Sequence, residues 1–206
     1  MSPGATMERV YLDLKARIMA GEFPPGARLD PAQLSRSLAA SATPVRDALH
    51  RLSGERIIDS WHQEGFRQPI LAEADIHDLY AWTAALLDLA LRGAPREPAA
   101  LTAPPRSDSE GYDRDIARLL RALAMLSDNH ELRLAVGNAV DRSAIFRAAE
   151  LRVDPAVVEA VAAMDEDLRF GRVGALRAKV TRFHRRRASF TGRVVAELRP
   201  RSQPLG

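Results

Sequence analysis

The sequence predicts a mainly α-helical protein in two parts: an N-terminal winged helix-turn-helix with a small β-hairpin, and a C-terminal all-α antiparallel helix bundle. Helical periodicity recurs along the chain, with repeated start signals in which a capping side chain precedes proline. One pair of short strand patterns follows the third helix, and no strand pattern occurs after Glu73. The predicted domains are residues 6–71 and residues 73–199.

The first predicted helix covers residues 6–20. Val10, Leu14 and Ile18 recur at helical spacing and therefore form one apolar face. The sequence Pro24-Pro25-Gly26 follows, which forbids a helix and predicts a turn.

Two further helices begin with a capping side chain and a proline. Asp30-Pro31 starts the second helix, and Thr43-Pro44 starts the third. Residues 57–61 and 66–70 are typical of two short strands joined by the turn HQEG. Three helices followed by a hairpin are the plan of a winged helix-turn-helix.

The remainder of the chain carries helical patterns only. A helix starts near Asp75, and residues 92–110 are rich in proline and polar side chains, which predicts a loop. Further helices are predicted near residues 112–127, 130–151, 154–170 and 173–198. Helices joined by short connections form an antiparallel bundle.

Composition excludes several classes of function. The 206 residues include no cysteine, which excludes disulfides, thiolate metal sites and a cysteine nucleophile. No signal-peptide core and no apolar stretch of membrane-spanning length is found, so we expect a cytoplasmic protein with no membrane partner. The net charge of +3 is weak evidence for nucleic-acid binding. The sequence has no Ser, His and acidic residues at the spacing of a catalytic triad, no phosphate-binding loop and no recognisable pair of catalytic carboxylates. We therefore do not expect an enzyme.

The start of the third helix has the side chains that DNA reading requires. Ser41 and Thr43 lie where helix N–H groups face a phosphate, Arg46 lies where it reaches a guanine edge, and His50 lies one turn further. Arg46 has an alternative role as a solvated charge paired with Asp47 or Glu55, and Thr43 as a helix cap only.

Further candidates for DNA contacts flank this helix. Arg36 and Arg51 are candidates for backbone phosphates, with ordinary surface arginines as the alternative. Gln63 and Gly65 at the hairpin turn are candidates for the minor groove, with ordinary turn residues as the alternative.

The first part of the chain contains the connection I-x-x-G-x-x-x-P-G-x-x-L, the segment TPVRDAL, and an aliphatic strand that leads into a Gly-containing wing. With these motifs it resembles the DNA-binding domain of the GntR family of bacterial regulators. Residues 73–199 are similar to the effector domain of the FadR-like subgroup, in its short, VanR-like form. The resemblance implies a homodimer on a double-stranded DNA operator, with Arg46 at base edges or phosphate, and a small-molecule effector, a carboxylate being one class.

The chain departs from this family pattern at two positions. Many relatives have arginine where this chain has Ala42, and often another near Ala32. The loss of two basic contacts predicts weaker operator binding. The slope of log affinity against log salt concentration should also be shallower by about two units.

A second departure concerns a metal cofactor. FadR-like effector domains hold a divalent metal through one Asp and three His. The resemblance places Ile116 and Leu120 at the first Asp and His, and Ala162 or Ala163 at the second His, which leaves His184 near a ligand position. We therefore expect no metal cofactor.

Without a metal, a carboxylate effector requires arginine or polar side chains inside the bundle. The candidates are Arg121, Asn138, Arg142, Arg177 and His184. Each of these side chains has an alternative place on the helix surface. For His184 the favoured alternative is an exposed basic face shared with Arg185, Arg186 and Arg187. Loss of ligand binding, with dimerisation alone retained, also stays open.

Two functional hypotheses follow. The first is a ligand-responsive, sequence-specific DNA-binding regulator of transcription. The second is a degenerate regulator with weak DNA binding that acts as a protein-interaction and dimerisation module. The apolar positions of residues 76–91 and 112–126 are either a dimer seam or internal core.

Overall fold

The computed structural model describes residues 3–61, 65–94 and 111–199. The described residues divide into two compact units. The first unit ends at Leu71, and the second runs from Ala72 to Leu198.

The first unit combines three helices with a small sheet. Its helices and strands are α1 (Pro3–Met19), β1 (Arg28–Leu29), α2 (Pro31–Ser37), α3 (Ala42–Gly54), β2 (Asp59–Trp61) and β3 (Gly65–Arg67). The strands are antiparallel in the order β1-β3-β2, with Phe66 opposite both Leu29 and Ser60.

The start of α2 follows from local chemistry. The Asp30 carboxylate accepts hydrogen bonds from the backbone N–H groups of Ala32, at 2.8 Å, and Gln33, at 3.1 Å, and Pro31 occupies the first turn. The side chain thereby satisfies two of the donors that a helix leaves unpaired at its N-terminus.

The start of α3 differs from the prediction. The helix begins at Ala42 with Ser41 in the N-cap position, and Ser41 makes no side-chain capping bond. Thr43 is already helical, so it cannot be the cap that the sequence predicted.

The sheet has one strand more than the predicted hairpin. Arg28–Leu29 pairs with β3, and Leu29 is buried against the unit's core. A strand of two residues is too short to show any alternation of apolar and polar side chains. Ile57 and Ile58, predicted to open a strand, are buried just before β2.

The second unit is entirely helical within the described residues. Its helices are α4 (Glu73–Arg92), α5 (Gly111–Ala124), α6 (His130–Val153), α7 (Val157–Arg169), α8 (Val173–Ala188) and α9 (Thr191–Leu198). The predicted mainly α fold, with a small sheet in the first part, is confirmed.

The predicted helix 173–198 is wrong as a single element. It is interrupted at Ser189 and Phe190, where the Ser189 hydroxyl donates to the Arg186 carbonyl at 2.7 Å. Phe190 is buried at the break. A side chain that bonds backbone carbonyls competes with helix continuation, and burial of the phenyl ring fixes the bend.

The apolar residues of α4 and α5 form the interior of the second unit. Ile76, Leu87, Ile116 and Leu119 are each fully buried. For these buried residues internal core is the correct alternative, so a dimer seam would have to use exposed side chains of the helices. None of the helices in the described ranges combines the length and apolar character needed to cross a membrane.

Candidate nucleic-acid interface and buried polar cluster

The exposed face of α3 carries the side chains predicted to read DNA. Ser41, Thr43, Arg46 and His50 are all exposed, at the N-terminal end of α3 and along its next two turns. The buried face holds Val45, Ala48, Leu49 and Leu52. Burial of the apolar face fixes which side chains of α3 point to solvent.

Arg46 is available for an external partner. Within the described residues its guanidinium makes no hydrogen bond or ion pair. Glu55, one of its predicted alternatives, instead binds Lys15 at 2.9 Å and Arg51 at 3.3 Å. An exposed arginine without an internal partner keeps all its donors for phosphate or a base edge.

His50 connects α3 to the sheet. Its ring meets the ring of Phe66 edge to face, with centroids 4.9 Å apart and planes at 80°. This contact is an aromatic packing geometry. The exposed side of the imidazole remains open to a ligand, so His50 combines a packing role with its predicted one.

Arg51 has a structural role that the sequence did not reveal. Its guanidinium lies 3.6 Å from the centre of the Tyr11 ring and donates to Glu8 at 2.7 Å. The Tyr11 hydroxyl in turn donates to Glu55 at 2.7 Å. Burial raises the pKa of Glu55, but the hydrogen bonds from Lys15 and Tyr11 outweigh it and hold that pKa below its ordinary value. The cluster links α1 to α3 and thereby positions the exposed face of α3.

The remaining predicted DNA contacts are placed as follows. Arg36 is exposed on α2 and makes no ion pair within the described part of the chain. Gly65 has φ of +83°, a left-handed conformation that favours glycine, and a Cβ there would meet nothing within 4 Å. Gln63 lies outside the described residues. Trp61, which pairs with Gly65 in the hairpin, is 60% exposed and was not among the predicted contacts.

The second unit contains a buried polar cluster centred on Glu150. The Glu150 carboxylate is completely buried and accepts hydrogen bonds from the hydroxyls of Tyr80, at 2.7 Å, and Tyr112, at 2.9 Å. Arg187 completes the cluster by donating its Nε–H to Glu150. The guanidinium lies 4.1 Å from the centre of the Tyr80 ring and 4.9 Å from that of Phe183. The four helices α4, α5, α6 and α8 thus meet at one carboxylate.

Burial and charge fix the protonation states of this cluster. Burial raises the pKa of Tyr80 and of Tyr112 well above the ordinary value; Arg187 opposes this effect and Glu150 adds to it. Burial lowers the pKa of Arg187, but Glu150 and the tyrosines outweigh it, so the net pKa is raised. Both tyrosines therefore remain protonated donors, and Arg187 remains a cation.

A second buried arginine joins α6 to α5. Arg147 donates to the Asp113 carboxylate at 2.7 Å and to the Ser143 hydroxyl at 3.0 Å, and it also donates to the Val140 carbonyl. Burial lowers the pKa of Arg147, and Asp113 opposes that effect. Asp113 therefore joins the start of α5 to α6 through the buried arginine.

His184 lies in the interior, which corrects the expectation of an exposed basic face. Its side chain is 2% exposed, and neither ring nitrogen has a hydrogen-bond partner in the described structure. Burial, with a further contribution from Arg187, lowers the pKa of His184 to about 3. The helical period explains the placement, because Val180 and Phe183 share the buried face of α8. Arg185 and Arg186 remain exposed.

The other candidates for an effector pocket do not converge in the interior. Arg121 pairs with Asp141 at the surface, and Arg177 pairs with Asp88 at 2.6 Å; both guanidinium side chains are more than 40% exposed. Asn138 and Arg142 are half-buried on α6. The bundle therefore offers no single pocket built from these residues.

The residues at the family's metal positions do not fit a metal ion. Ile116 and Leu120 are buried apolar side chains. Across residues 3–61, 65–94 and 111–199, no group of three or more His, Asp or Glu is arranged to hold a metal. His184 is surrounded instead by Phe183 and the Arg187 cation.

Comparison with known proteins agrees with the geometry of the first unit. Residues 6–67 match the model of bacterial regulatory proteins, gntR family. The Nta operon transcriptional regulator of Aminobacter aminovorans is 27% identical over 150 residues, which are 73% of this chain and 65% of that protein. The HTH-type transcriptional regulator YdhC of Bacillus subtilis (strain 168) is 31% identical over 70 residues, which are 34% of this chain and 31% of that protein. The chain thus spans less than two thirds of the length of these relatives.

Solved structures share the fold at low sequence identity. A GntR transcriptional regulator from Rhodococcus sp. RHA1 has a TM-score of 0.72 at 17% identity, over 91% of this chain and 97% of that chain. McbR/YncC of E. coli has a TM-score of 0.62 at 18% identity, with 91% and 97% covered. Residues 6–67 thus carry a domain similar to that of the gntR family of bacterial regulatory proteins, and the three helices and the wing of the first unit have the plan of a winged helix-turn-helix.

Proposed function

We propose that this protein is a ligand-responsive transcriptional regulator that binds a specific DNA operator as a homodimer. The observation that carries the proposal is the exposed face of α3, where the unpaired Arg46 follows Ser41 and Thr43 at the helix N-terminus. An N-terminus binds phosphate through its free N–H groups, and an arginine one turn later reads guanine in the major groove. Arg36 and the wing at Gly65 contact the flanking backbone and minor groove.

The arginine-poor start of α3 shapes the expected operator. Ala42 is half-buried and offers no charge between Ser41 and Thr43. Sequence discrimination therefore depends mainly on Arg46 and His50. We assign Arg51 to the α1–α3 cluster rather than to phosphate, because its donors already serve Glu8 and Glu55.

Pairing of two copies follows from the small size of one winged domain, since two half-sites are needed for useful specificity. The apolar face of α4 is buried within the second unit. We therefore propose that the opposite, exposed side of α4 forms the dimer interface. Trp82 and Leu89 lie two turns apart and are 51% and 57% exposed. Ala81 and Ala85 are exposed beside them and leave room for close approach of a second helix.

Selection of duplexes from a random DNA pool by the purified full-length chain tests the proposal. We expect enrichment of one motif with two-fold symmetry and two half-sites about one helical turn apart. Failure to enrich any motif contradicts the proposal. Self-association without enrichment would instead support the alternative, an interaction module with weak DNA binding.

A further inference from the structure

The second strand of the hairpin sheet ends in an exposed tryptophan. Trp61 is the last residue of β2 and is 60% exposed. Its partner in the register is Gly65, which has no side chain, and a Cβ built there would meet nothing within 4 Å in the described structure. Because cross-strand partners cover each other on one face of a sheet, the indole lacks the cover that a larger partner would give. One side of the ring is therefore open to a binding partner.

The register of the strands places this tryptophan on the outer face of the sheet. Leu29 and Phe66 lie opposite each other and are buried, so their row faces the core of the first unit. Side chains alternate between the two faces along each strand, so the neighbouring rows face outward. The outer face, as the register defines it, consists of Trp61, Gly65, Arg28, Arg67 and Asp59.

The charges of the outer face favour an anionic partner. Arg28 and Arg67 lie directly opposite each other in β1 and β3, and like charges in such a pair repel. Asp59, on the other side of Arg67, compensates only one of the two. Arg28 is exposed and makes no hydrogen bond or ion pair with a described residue. A row of phosphates would neutralise the second arginine, which favours DNA over the apolar surface of another protein.

The sheet is joined to the helix that we assign to the major groove. Phe66, the residue after Gly65, packs edge to face on His50 of α3. The hairpin therefore has a fixed position relative to the exposed face of α3. A duplex held in its major groove by Arg46 continues past the hairpin, where the adjacent minor groove faces the protein. This step rests on the proposed function.

We propose that the Trp61 indole packs against the sugars of this minor groove and makes binding sensitive to the amino group of guanine. In the minor groove, A·T and T·A pairs present acceptors only, whereas a G·C pair adds the N2 amino donor of guanine. The indole Nε1–H is a donor without any acceptor, so it matches an A·T edge and conflicts with the guanine amino group. The apolar ring releases no counterions, so its contribution to affinity does not depend on salt.

Fluorescence anisotropy with the duplex selected by the full-length chain tests the contact. Trp61→Ala should weaken binding at least roughly fivefold through loss of buried apolar area. The slope of log affinity against log salt concentration should stay as in the wild type. Wild-type affinity in Trp61→Ala, or a slope shallower by about one unit as for a lost phosphate contact, would overturn the proposal.

Leu12→Ala is the matched control for the loss of an exposed apolar side chain. Leu12 is 56% exposed and lies on α1, outside the sheet and the reading helix. We expect its affinity to stay within about twofold of the wild type, as for most surface substitutions. Equal weakening in Leu12→Ala and Trp61→Ala would show that the effect is not specific to the indole and would contradict the proposal.

Inosine tests the role of the guanine amino group. Inosine pairs with cytosine, keeps the major-groove atoms of guanine and lacks the amino group in the minor groove. When the base pairs at the hairpin are changed from G·C to I·C, the wild type should bind roughly fivefold more tightly. Trp61→Ala should bind both duplexes equally. The same preference for I·C in both proteins would overturn the proposal.

Tryptophan emission separates a DNA contact from a purely structural role. An aromatic side chain opposite a strand glycine also stabilises a sheet, so Trp61→Ala could weaken binding by loosening the hairpin. Trp61→Phe keeps an aromatic ring there and leaves Trp82 as the only tryptophan of the chain. We expect the duplex to change the emission of the wild type and not that of Trp61→Phe. An equal change in both proteins would contradict the contact.

The selection experiment distinguishes this inference from the proposed function. If the wild type selects no duplex, the proposed function is contradicted and this inference with it. If a duplex is selected and neither its affinity nor its inosine preference depends on Trp61, only this inference is wrong, and the assignment of Arg46 stands.

Discussion

Glu150 and Arg187 form a direct ion pair in which both side chains are almost completely buried, with exposures of 0% and 2%. Their separation along the chain is 37 residues, so the pair joins α6 to α8. Two charges removed from water depend on each other, because either one alone is left uncompensated in a medium of low dielectric constant. The pair is therefore sensitive to the loss of either partner alone.

Loss of one partner should be far worse than loss of both. Glu150→Gln should lower the free energy of unfolding by about 3–5 kcal/mol, because Arg187 then has no counter-ion. The double variant Glu150→Leu with Arg187→Met, made in a Tyr80→Phe, Tyr112→Phe background so that no buried hydroxyl loses its acceptor, should stay within about 2 kcal/mol of that background. Urea denaturation followed by circular dichroism measures both values. Equal destabilisation of the single and double variants would argue against a mutually dependent pair.

The two tyrosines of the cluster should differ in their contribution. Oε2 of Glu150 accepts a hydrogen bond from Tyr112, whereas Oε1 accepts from both Tyr80 and Arg187. Tyr112→Phe should therefore cost about 1.5–3 kcal/mol, and Tyr80→Phe only about 1 kcal/mol, since Oε1 keeps a donor. The reverse order in thermal or urea unfolding would show that the hydrogen bonds are distributed differently.

Stability of the second unit should depend on pH through His184. Burial, with a further contribution from Arg187, lowers the pKa of His184 from 6.5 to about 3. Between these two pH values the unfolded chain binds a proton at His184 and the folded chain does not. Stability is then lost as pH falls below about 6.5, and the loss at pH 5 is about 2 kcal/mol. His184→Leu should remove this part of the pH dependence. Identical slopes for both proteins between pH 7 and pH 5 would contradict the buried, neutral imidazole.

Dimerisation should be sensitive to the outer side of α4. Trp82→Glu places a charge in the proposed seam and should convert the dimer to a monomer at micromolar concentration, as measured by sedimentation velocity. Met125→Glu is the matched control, because Met125 is 60% exposed and lies outside α4. A Trp82→Glu protein that still dimerises like the wild type would exclude this seam.

Much of the first unit could be predicted because its signals are local. Asp30 and Pro31 define a helix start within two residues, and the spacing of Val10, Leu14 and Ile18 defines a buried face. The strand at Arg28–Leu29 could not be predicted, because two residues carry no period and their partners in β3 lie 39 and 37 positions away.

The buried cluster of the second unit depends on pairing between distant residues. Tyr80 and Glu150 are 70 positions apart, and no single-sequence pattern specifies such a contact. A partial signal was present, since Arg187 follows Val180 and Phe183 at helical spacing and so falls on the buried face of α8. We instead expected Arg187 to lie on an exposed basic face, and we placed His184 on the same face.

The side chains named from the sequence lie on the exposed face of α3, and their contacts with DNA stay a prediction. Arg46 and Arg51 are five residues apart and both basic, yet only Arg51 has internal partners. Two of those partners, Glu8 and Tyr11, come from α1 and could not be assigned to Arg51 from the local motif.

The most direct test of the central claim is the affinity of the Arg46→Ala protein for the selected operator, measured by fluorescence anisotropy at one fixed salt concentration. Arg114→Ala is the control, because Arg114 is an exposed arginine of α5 without an ion pair in the described structure. We predict that Arg46→Ala weakens binding by about 1–3 kcal/mol, or about 5- to 150-fold in Kd, and that Arg114→Ala changes it by less than about twofold. Wild-type affinity in the Arg46→Ala protein would contradict the assignment of α3 as the DNA-reading helix.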